Sequence, residues 1–246
     1  MKLYRTILIT GGSAGIGAAC ARLAAGYGAD VILTYNSDRE GAEAVATVVR
    51  NAGRNAQIVK CDVSDPAQIE SLFDAIPPDT ALDLINNAGI VAAKASITEM
   101  TPERLQQIFT VNVIGAFLVA KHTVTHMRRS GSPGNIVNVS STAARLGSAN
   151  QYVDYAASKA AIDTFTQGLA DEVAAEGIRV NAVRPGLIET DIHAKGGEPD
   201  RLQRLVHMVP MQRAGRPEEV AEAILWLLSD QASYVTRSIL DVSAGR

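Results

Sequence analysis

The chain has 246 residues, of which 47% are hydrophobic, and a formal net charge of -3 at pH 7. This length suits one or two domains and allows one large buried core. The charge excludes the basic footprint of a nucleic-acid-binding protein, and no apolar run approaches the roughly 18 residues that cross a bilayer. Cys20 and Cys61 lie in unrelated segments without a CxxC motif, so we expect a reducing, cytoplasmic location.

Strand-like and helix-like segments alternate along the chain. The predicted strands cover about 6–10, 31–35, 56–63, 82–89, 135–141, 178–186 and 238–243. The predicted helices cover about 16–27, 39–52, 66–75 with Asp65 as N-cap, 102–128, a segment that Gly177 ends, and 217–228. Most strands are apolar on both faces, which is typical of a parallel sheet covered by helices.

These elements predict one α/β domain over residues 1–246, a doubly wound parallel sheet of about seven strands with helices on both faces. Residues of about 189–211 form the least regular region. Because ligands bind at the carboxyl ends of such strands, we expect this region to be a substrate lid.

A glycine loop, TGGSAGIG, follows the first strand and opens a helix. Glycines there allow a tight turn and let backbone N–H groups reach a phosphate at the positive end of the helix. The spacing is neither GxGxxG nor a P-loop, so a simple turn is the alternative. The candidate phosphate contacts are Gly11, Ser13, Gly15, Ile16 and Gly17.

The end of the second strand bears on the choice of dinucleotide. An acid there binds the ribose hydroxyls and favours NAD, but this chain has Tyr35. We predict NADP(H), with Asn36 and Ser37 as hydrogen-bond donors. Arg39 or Lys60 would lie near a 2′-phosphate. NAD(H) stays an alternative because an acid, Asp38, follows at once.

The third and fourth strands end on further polar segments. Asp62 and Val63 are placed to bind an adenine through a carboxylate and a backbone amide. Asn87, Ala88 and Gly89 follow the fourth strand, where an asparagine can bond to backbone and also line the cofactor ribose.

A tyrosine and a lysine lie one helical turn apart in QYVDYAASKA. At about 1.5 Å rise per residue, Tyr155 is about 6 Å from Lys159 along the axis and Tyr152 about 10 Å. A tyrosine with a pKa of about 10 needs a nearby cation to act as a base at neutral pH. Side chains alternate along the fifth strand, so only one of Ser140 and Ser141 faces the pair, and we prefer Ser141.

The motifs TGGSAGIG, CDV, NNAG, NVSS, YAASK and RPG occur in an order that resembles the short-chain dehydrogenase/reductase family over essentially the whole chain. The resemblance implies a Rossmann-like fold. It implies that Tyr155 is the acid/base, that Lys159 lowers its pKa and holds the nicotinamide ribose, and that Ser141 orients the substrate. By the same resemblance Asn112 supports a proton-relay water. The implied nicotinamide and phosphate contacts are Pro185, Gly186, Ile188 and Thr190.

The resemblance implies an NADP(H)-dependent oxidoreductase that transfers hydride between nicotinamide and a small carbonyl or secondary alcohol substrate. The alternatives are a catalytically silent NADP(H)-binding sensor or scaffold and an NAD-dependent sugar or alcohol dehydrogenase. A homotetramer or homodimer is expected, with no nucleic acid, membrane or metal. His122 and His126 have metal-pair spacing but no accompanying acid, so we interpret them as surface or packing residues.

Two positions depart from the family pattern. Arg237 stands where a glycine usually follows the threonine before the last strand, so it alters a turn or the assembly interface. The spacing from Ser141 to Tyr155 is one residue longer than usual, which predicts an extra residue in the 148–154 loop.

Overall fold

The computed structural model describes residues 1–190, 196–198 and 200–246. Within them one sheet contains seven strands, ordered β3-β2-β1-β4-β5-β6-β7, and every neighbouring pair is parallel. The strands are Thr6–Ile9 (β1), Val31–Tyr35 (β2), Ala56–Lys60 (β3), Leu82–Asn86 (β4), Asn135–Val139 (β5), Arg179–Pro185 (β6) and Ile239–Val242 (β7). The predicted fold class is confirmed.

Helices connect the strands and cover both faces of the sheet. The described helices are Gly15–Gly26 (α1), Arg39–Asn51 (α2), Pro66–Asp74 (α3), Pro102–Phe109 (α4), Ala116–Ser130 (α5), Ala143–Leu146 (α6), Val153–Val173 (α7), Arg201–Leu205 (α8) and Pro217–Leu228 (α9). The predicted N-cap of α3 is confirmed, because the Asp65 carboxylate accepts a hydrogen bond from the Ala67 N–H at 3.0 Å. Gly177, with φ of 77°, ends the 3₁₀ turn that follows α7, as predicted.

The core lies on both sides of the sheet because β1 alternates its side chains. Ile7 and Ile9 pack with α1, α2 and α9 on one face. Leu8 packs with α3, α5 and the end of α7 on the other. The sheet is therefore enclosed, and only its edges and strand ends reach solvent.

The predicted helix 102–128 is interrupted. A π-helical turn, Thr110–Gly115, separates α4 from α5. Gly115 allows this segment to approach the chain that follows β3 closely, since a Cβ there would lie 2.5 Å from the Val63 carbonyl oxygen. By length and composition alone, the Pro102–Ser130 stretch is long and apolar enough to cross a membrane. However, 44% of its apolar 18-residue window is buried inside the protein.

The segment between β5 and α7 contains a short helix, α6, that the sequence analysis did not predict. Gly147, with φ of 72°, ends it. Ser148 and Asn150 then adopt positive φ angles of 50° and 57° within the loop where the extra residue was predicted. The loop thus turns sharply before α7 begins.

Arg237 lies in a turn before β7 and has a φ of 65°, a conformation that glycine adopts without strain. Its N–H donates to the Val180 carbonyl at 2.7 Å, and its Nε donates to Asp171 at 2.9 Å. Arg237 therefore occupies the position of the usual glycine, and its hydrogen bonds hold it in the turn.

The predicted lid is only partly described. Residues 191–195 and 199 lie outside the described residues. The described remainder contains α8 and a 3₁₀ turn, Val206–Met208, and Leu205 and Val209 pack with Leu187 in a small separate cluster.

Candidate active site

One large cavity, of about 1130 Å³, lies at the carboxyl ends of the strands. The structure brings most of the predicted site residues to its walls, from the glycine loop, the ends of β2 to β6, and α7. The predicted residues that line it are Gly11, Ser13, Gly15, Ile16, Tyr35, Asn36, Ser37, Asp62, Val63, Asn87, Ala88, Gly89, Ser141, Tyr155, Lys159, Pro185, Gly186, Ile188 and Thr190. Gly17, Arg39 and Asn112 do not line it.

The glycine loop is a closely packed cradle at the start of α1. Gly11 and Gly15 have φ angles of 66° and 54°. A Cβ on Gly17 would lie 2.4 Å from the Gly11 carbonyl oxygen, so this glycine is needed for the packing of the helix against the loop. The cradle with its exposed helix N-terminus fits a dinucleotide pyrophosphate.

The loop is tied to β4 by a set of hydrogen bonds between two halves of the sheet. The Thr10 hydroxyl accepts from the Asn87 and Ala88 N–H groups at 2.9 and 3.0 Å. The Asn87 amide donates to the carbonyls of Thr10 and Gly11 at 2.9 and 3.0 Å. The Asn87 side chain is thus a backbone support at the cavity wall, one of the two roles predicted for it.

Some polar groups at the end of β2 form hydrogen bonds within their own segment. The Asp38 carboxylate caps α2 by accepting from the Gly41 N–H at 2.9 Å, although Asp38 also lines the cavity. Arg39 begins α2 and is exposed, away from the cavity walls. The predicted basic contact is therefore absent from the cavity lining among the described residues, and Lys60 does not supply it either.

Asp62 is fixed at the end of β3. Its carboxylate accepts from the Ser64 N–H and hydroxyl at 2.9 and 2.7 Å, and its own N–H donates to Gln68 at 2.9 Å. The Asn36 amide lies 3.5 Å from the other carboxylate oxygen. Asp62 and Asn36 thus face each other across the cavity end where an adenosine was predicted.

Tyr155 and Lys159 lie on the first turns of α7 and face the cavity together. The Lys159 Nζ donates to the Val139 carbonyl at 2.8 Å and lies 5.7 Å from the centroid of the Tyr155 ring. Burial lowers the pKa of Lys159 to about 8, and the Asp163 carboxylate opposes this. Burial also raises the pKa of Tyr155, opposed by a hydrogen bond from Ser141 and the charge of Arg201. That net direction is opposite to the lowered pKa predicted for the tyrosine.

The two serines at the end of β5 face different partners, as the alternation of side chains predicted. The Ser140 hydroxyl is buried and donates to the Lys159 carbonyl at 3.1 Å. The Ser141 hydroxyl lies close enough to Tyr155 to lower the pKa of that phenol, and it accepts a hydrogen bond from the Ala143 N–H at 3.1 Å. Ser141 is therefore the serine that the structure brings to the tyrosine.

Asn112 lies in the π-helical turn, behind the cavity wall. Its carbonyl oxygen accepts from the Ile90 N–H at 2.8 Å, and its amide donates to the Ile90 carbonyl at 2.9 Å and to Ser158 at 3.1 Å. A Cβ on Gly89 would lie 3.3 Å from both the Asn112 Oδ1 and the Lys159 Nζ. Asn112 and Lys159 thus flank one glycine, and the relay role of Asn112 stays a prediction.

The sequence analysis missed the group of side chains that holds the other wall. The Tyr152 hydroxyl hydrogen-bonds the Glu198 carboxylate, and the Arg201 guanidinium lies 4.9 Å from the Tyr152 ring centroid. Burial and Glu198 raise the pKa of Tyr152 to about 12. The sequence showed Arg201 only as an arginine in the irregular lid region, because Gln151 and Tyr152, which place it at the cavity, are about fifty positions away along the chain.

A second missed contact supports α7. Arg104, on α4, forms an ion pair with Asp154 through two hydrogen bonds of 2.7 and 3.2 Å, and Asp154 also accepts from the Tyr155 N–H at 2.9 Å. Asp154 lies in the first turn of α7, as interpreted from the sequence, and it also carries a buried charge pair.

The histidine pair has contacts of a structural kind. The buried His126 ring lies 2.8 Å from the Thr80 carbonyl, and His122 stacks on Phe73 with ring centroids 5.4 Å apart. The described part of the chain holds no group of three or more side chains that could bind a metal ion.

Comparisons with known proteins agree with this arrangement. The family model described as enoyl-(acyl carrier protein) reductase matches residues 11–246. An uncharacterised oxidoreductase, YgfF of Escherichia coli (strain K12), is 49% identical over 97% of this chain and 98% of that protein. Cis-4-hydroxycyclohexanecarboxylate dehydrogenase of Sinomonas cyclohexanicum is 41% identical over 98% of this chain and 96% of that protein.

Solved structures share the fold over nearly the full length. A short-chain type dehydrogenase/reductase from Mycobacterium marinum has a TM-score of 0.92 at 32% identity, covering 98% of this chain and 94% of that chain. A 3-ketoacyl-(acyl-carrier-protein) reductase from Brucella melitensis, complexed with NADH, has a TM-score of 0.89 at 32% identity and covers 98% of both chains. The chain belongs to the short-chain dehydrogenase/reductase family, and it is an oxidoreductase of alcohol and carbonyl groups that uses a nicotinamide cofactor.

Proposed function

We propose that Tyr155 is the acid/base of an NADP(H)-dependent carbonyl reductase or alcohol dehydrogenase. The observation that carries this is the meeting of the Tyr155 phenol, the Ser141 hydroxyl and the Lys159 ammonium at one cavity wall. A nicotinamide cofactor, when bound, supplies or accepts the hydride. Tyr155 then gives its proton to the carbonyl oxygen in reduction, and its phenolate takes the hydroxyl proton in oxidation.

The neighbouring groups assist this proton transfer. Ser141 donates to the substrate oxygen and holds it beside the phenol. Lys159 has a pKa of about 8, so it is mostly cationic at neutral pH, and its charge stabilises the phenolate that forms in the reaction. Its bond to the Val139 carbonyl fixes the ammonium in place. Asn112 supports the proton supply from behind the wall.

A conservative substitution tests the tyrosine. Tyr155→Phe removes only the phenolic hydroxyl, so we expect kcat to fall by roughly 10²- to 10⁴-fold while NADPH binding, followed by its fluorescence, is retained. Tyr152→Phe is the matched control in the same cavity and should keep most of kcat. Unchanged turnover by Tyr155→Phe would overturn the mechanism. A wild-type protein that binds cofactor but reduces no ketone in a broad panel would favour the sensor or scaffold alternative.

The preference for NADP(H) has two supports. The end of β2 offers Tyr35 in place of a ribose-binding acid, and the Asp38 carboxylate is engaged as the cap of α2. Asn36 and Ser37 line the cavity and can donate to a 2′-phosphate, while the exposed Arg39 adds positive charge nearby. The test compares kcat/KM with NADPH and NADH for wild type and Arg39→Gln. We expect the wild type to prefer NADPH and the variant to lose part of that preference. Equal or better rates with NADH would overturn the preference.

The substrate is a small carbonyl or alcohol compound, and the enzyme works as a homotetramer or homodimer in the cytoplasm. Support for association comes from Ile114 and Phe117, apolar side chains that stay about half exposed at the π-helical turn and α5. Light scattering measures the mass in solution, and a monomer at micromolar concentration would contradict this proposal.

A further inference from the structure

Arg201 is held rigidly on the cavity wall beside Tyr155. Its side chain is only 14% exposed. The Nη1 group donates to the Gln151 side chain and to Glu198, both at 2.7 Å. The guanidinium also stacks on the Tyr152 ring at 4.9 Å from its centroid. An arginine with a fixed plane and position loses little conformational freedom when it binds a ligand.

The anchoring contacts use one edge of the guanidinium only. Arginine has five N–H donors, and both described hydrogen bonds leave from Nη1. Among the residues that the structure describes, Nε and Nη2 have no hydrogen-bond acceptor. This Nε/Nη2 edge has the fork geometry that receives a carboxylate through two parallel hydrogen bonds.

Charge at this end of the cavity favours an anion. Glu198 is the shared partner of Arg201 and Arg204, so one carboxylate serves two cations. Arg246 also lines the cavity, and burial together with the charge of Arg201 lowers its pKa. Glu103 lines the cavity too, on the first turn of α4.

The opposite, adenosine end of the cavity carries Asp38 and Asp62. The cavity therefore has acidic side chains at the end where the cofactor adenosine is proposed to bind. At the other end, Arg201 lies in a fixed position near Tyr155, the proposed acid/base. A substrate with a carboxylate would orient its charged end toward Arg201.

We propose that Arg201 binds a carboxylate of the substrate, so that this enzyme acts on oxo acids and hydroxy acids. The inference rests on the proposed role of Tyr155. In reduction a hydride goes from the nicotinamide to the carbonyl carbon, a proton goes from Tyr155 to the carbonyl oxygen, and the carboxylate makes and breaks no bond. Arg201 is thus a specificity residue that fixes the orientation of the reacting carbonyl.

The kinetic test uses oxo acids and their uncharged esters. The probes are 4-oxopentanoate and 4-oxocyclohexanecarboxylate, each paired with its methyl ester. We expect the wild type to prefer each acid. Arg201→Gln should lower kcat/KM for the acids roughly 10- to 100-fold, chiefly through KM, because a charge-assisted hydrogen-bond pair is lost. The kcat/KM for the esters should change by less than about threefold, because they carry no carboxylate for Arg201 to bind.

Arg204→Gln is the matched control. Arg204 shares Glu198 with Arg201 but does not line the cavity, so its variant should keep the preference for acids. Arg201→Lys keeps the charge without the fork and should recover part of the preference. Equal use of acid and ester by the wild type, or an equal loss in Arg204→Gln, would overturn the proposal.

A binding measurement separates this inference from the proposed function. Calorimetry compares cyclohexanecarboxylate with cyclohexanecarboxamide on the Tyr155→Phe protein in the presence of NADPH, where no turnover is needed. Tighter binding of the carboxylate, lost in the Arg201→Gln, Tyr155→Phe protein, supports the site even where the catalytic role of Tyr155 fails. Carboxylate binding that is equally tight with and without Arg201→Gln would overturn the proposed site, even where Tyr155→Phe abolishes turnover.

Discussion

Removal of one partner of the buried ion pair between Arg104 and Asp154, beside the active site, should destabilise the protein strongly. The Asp154 carboxylate is 1% exposed and forms two hydrogen bonds with Arg104. Asp154→Ala leaves the Arg104 guanidinium partly buried without its counter-ion, which costs about 3–5 kcal/mol of the free energy of unfolding. That total includes about 1 kcal/mol for the lost hydrogen bond to the Tyr155 N–H.

Urea unfolding followed by circular dichroism measures this loss, at one fixed protein concentration because any assembly would shift the midpoint. A double-mutant cycle with Arg104→Met should give a coupling free energy of at least about 1 kcal/mol, since the two side chains contact directly. The exposed Arg128–Glu176 pair, with side chains 51% and 36% exposed, is the matched control. Glu176→Ala should cost only about 0–1 kcal/mol. Additive effects of the Asp154 and Arg104 variants, or a loss no larger than that of Glu176→Ala, would refute the reasoning.

Two further predictions concern strain and pH. Arg237→Gly should raise the free energy of unfolding by about 0.5–1 kcal/mol in urea denaturation, because relief of a left-handed non-glycine backbone outweighs an exposed ion pair with Asp171. Burial raises the pKa of Asp83 to about 6, above its unfolded value of 3.8, so the folded protein binds this proton more tightly. The contribution of Asp83 to stability therefore grows as pH falls from about 7 to about 4, by roughly 3 kcal/mol in all. Asp83→Asn should lose this dependence when wild type and variant are unfolded in urea across that range.

Each of these two predictions has an outcome that would contradict it. Arg237→Ala removes the same ion pair but keeps a Cβ, so its free energy of unfolding should not exceed that of the wild type. An increase equal to that of Arg237→Gly would show that backbone strain is not the cause. For Asp83, a difference between variant and wild type that stays constant with pH would mean that this carboxyl is not titrating with a raised pKa.

Local patterns in the sequence were sufficient for the sheet, its order of elements and the wall with Tyr155. Parallel strands buried on both faces have a distinctive apolar pattern, and caps such as Asp65 involve residues close in sequence. The alternation of side chains at the end of β5 also predicted that Ser140 and Ser141 face different partners, and the preferred Ser141 is the one near Tyr155.

The missed features depend on contacts between distant segments. The π-helical turn lies where Gly115 packs against Val63 and Asn112 bonds to Ile90, and an unbroken helix satisfies the local pattern equally well. The Arg104–Asp154 pair joins residues fifty positions apart, so no periodicity signals it. The raised pKa of Tyr155 likewise reflects burial by the whole fold, which spacing from Lys159 alone does not reveal.

The bonds between Thr10 and Asn87 also bear on how the protein folds. β4 pairs with β1 across the region in which the two halves of the sheet meet, so the glycine loop gains these bonds only after β2, β3 and the chain up to Asn87 have been made. Such non-local pairing is slow and follows local helix formation. During synthesis the glycine loop would therefore stay unfinished until the chain up to Asn87 has emerged, and the ability to hold a pyrophosphate would follow the pairing of β4 with β1.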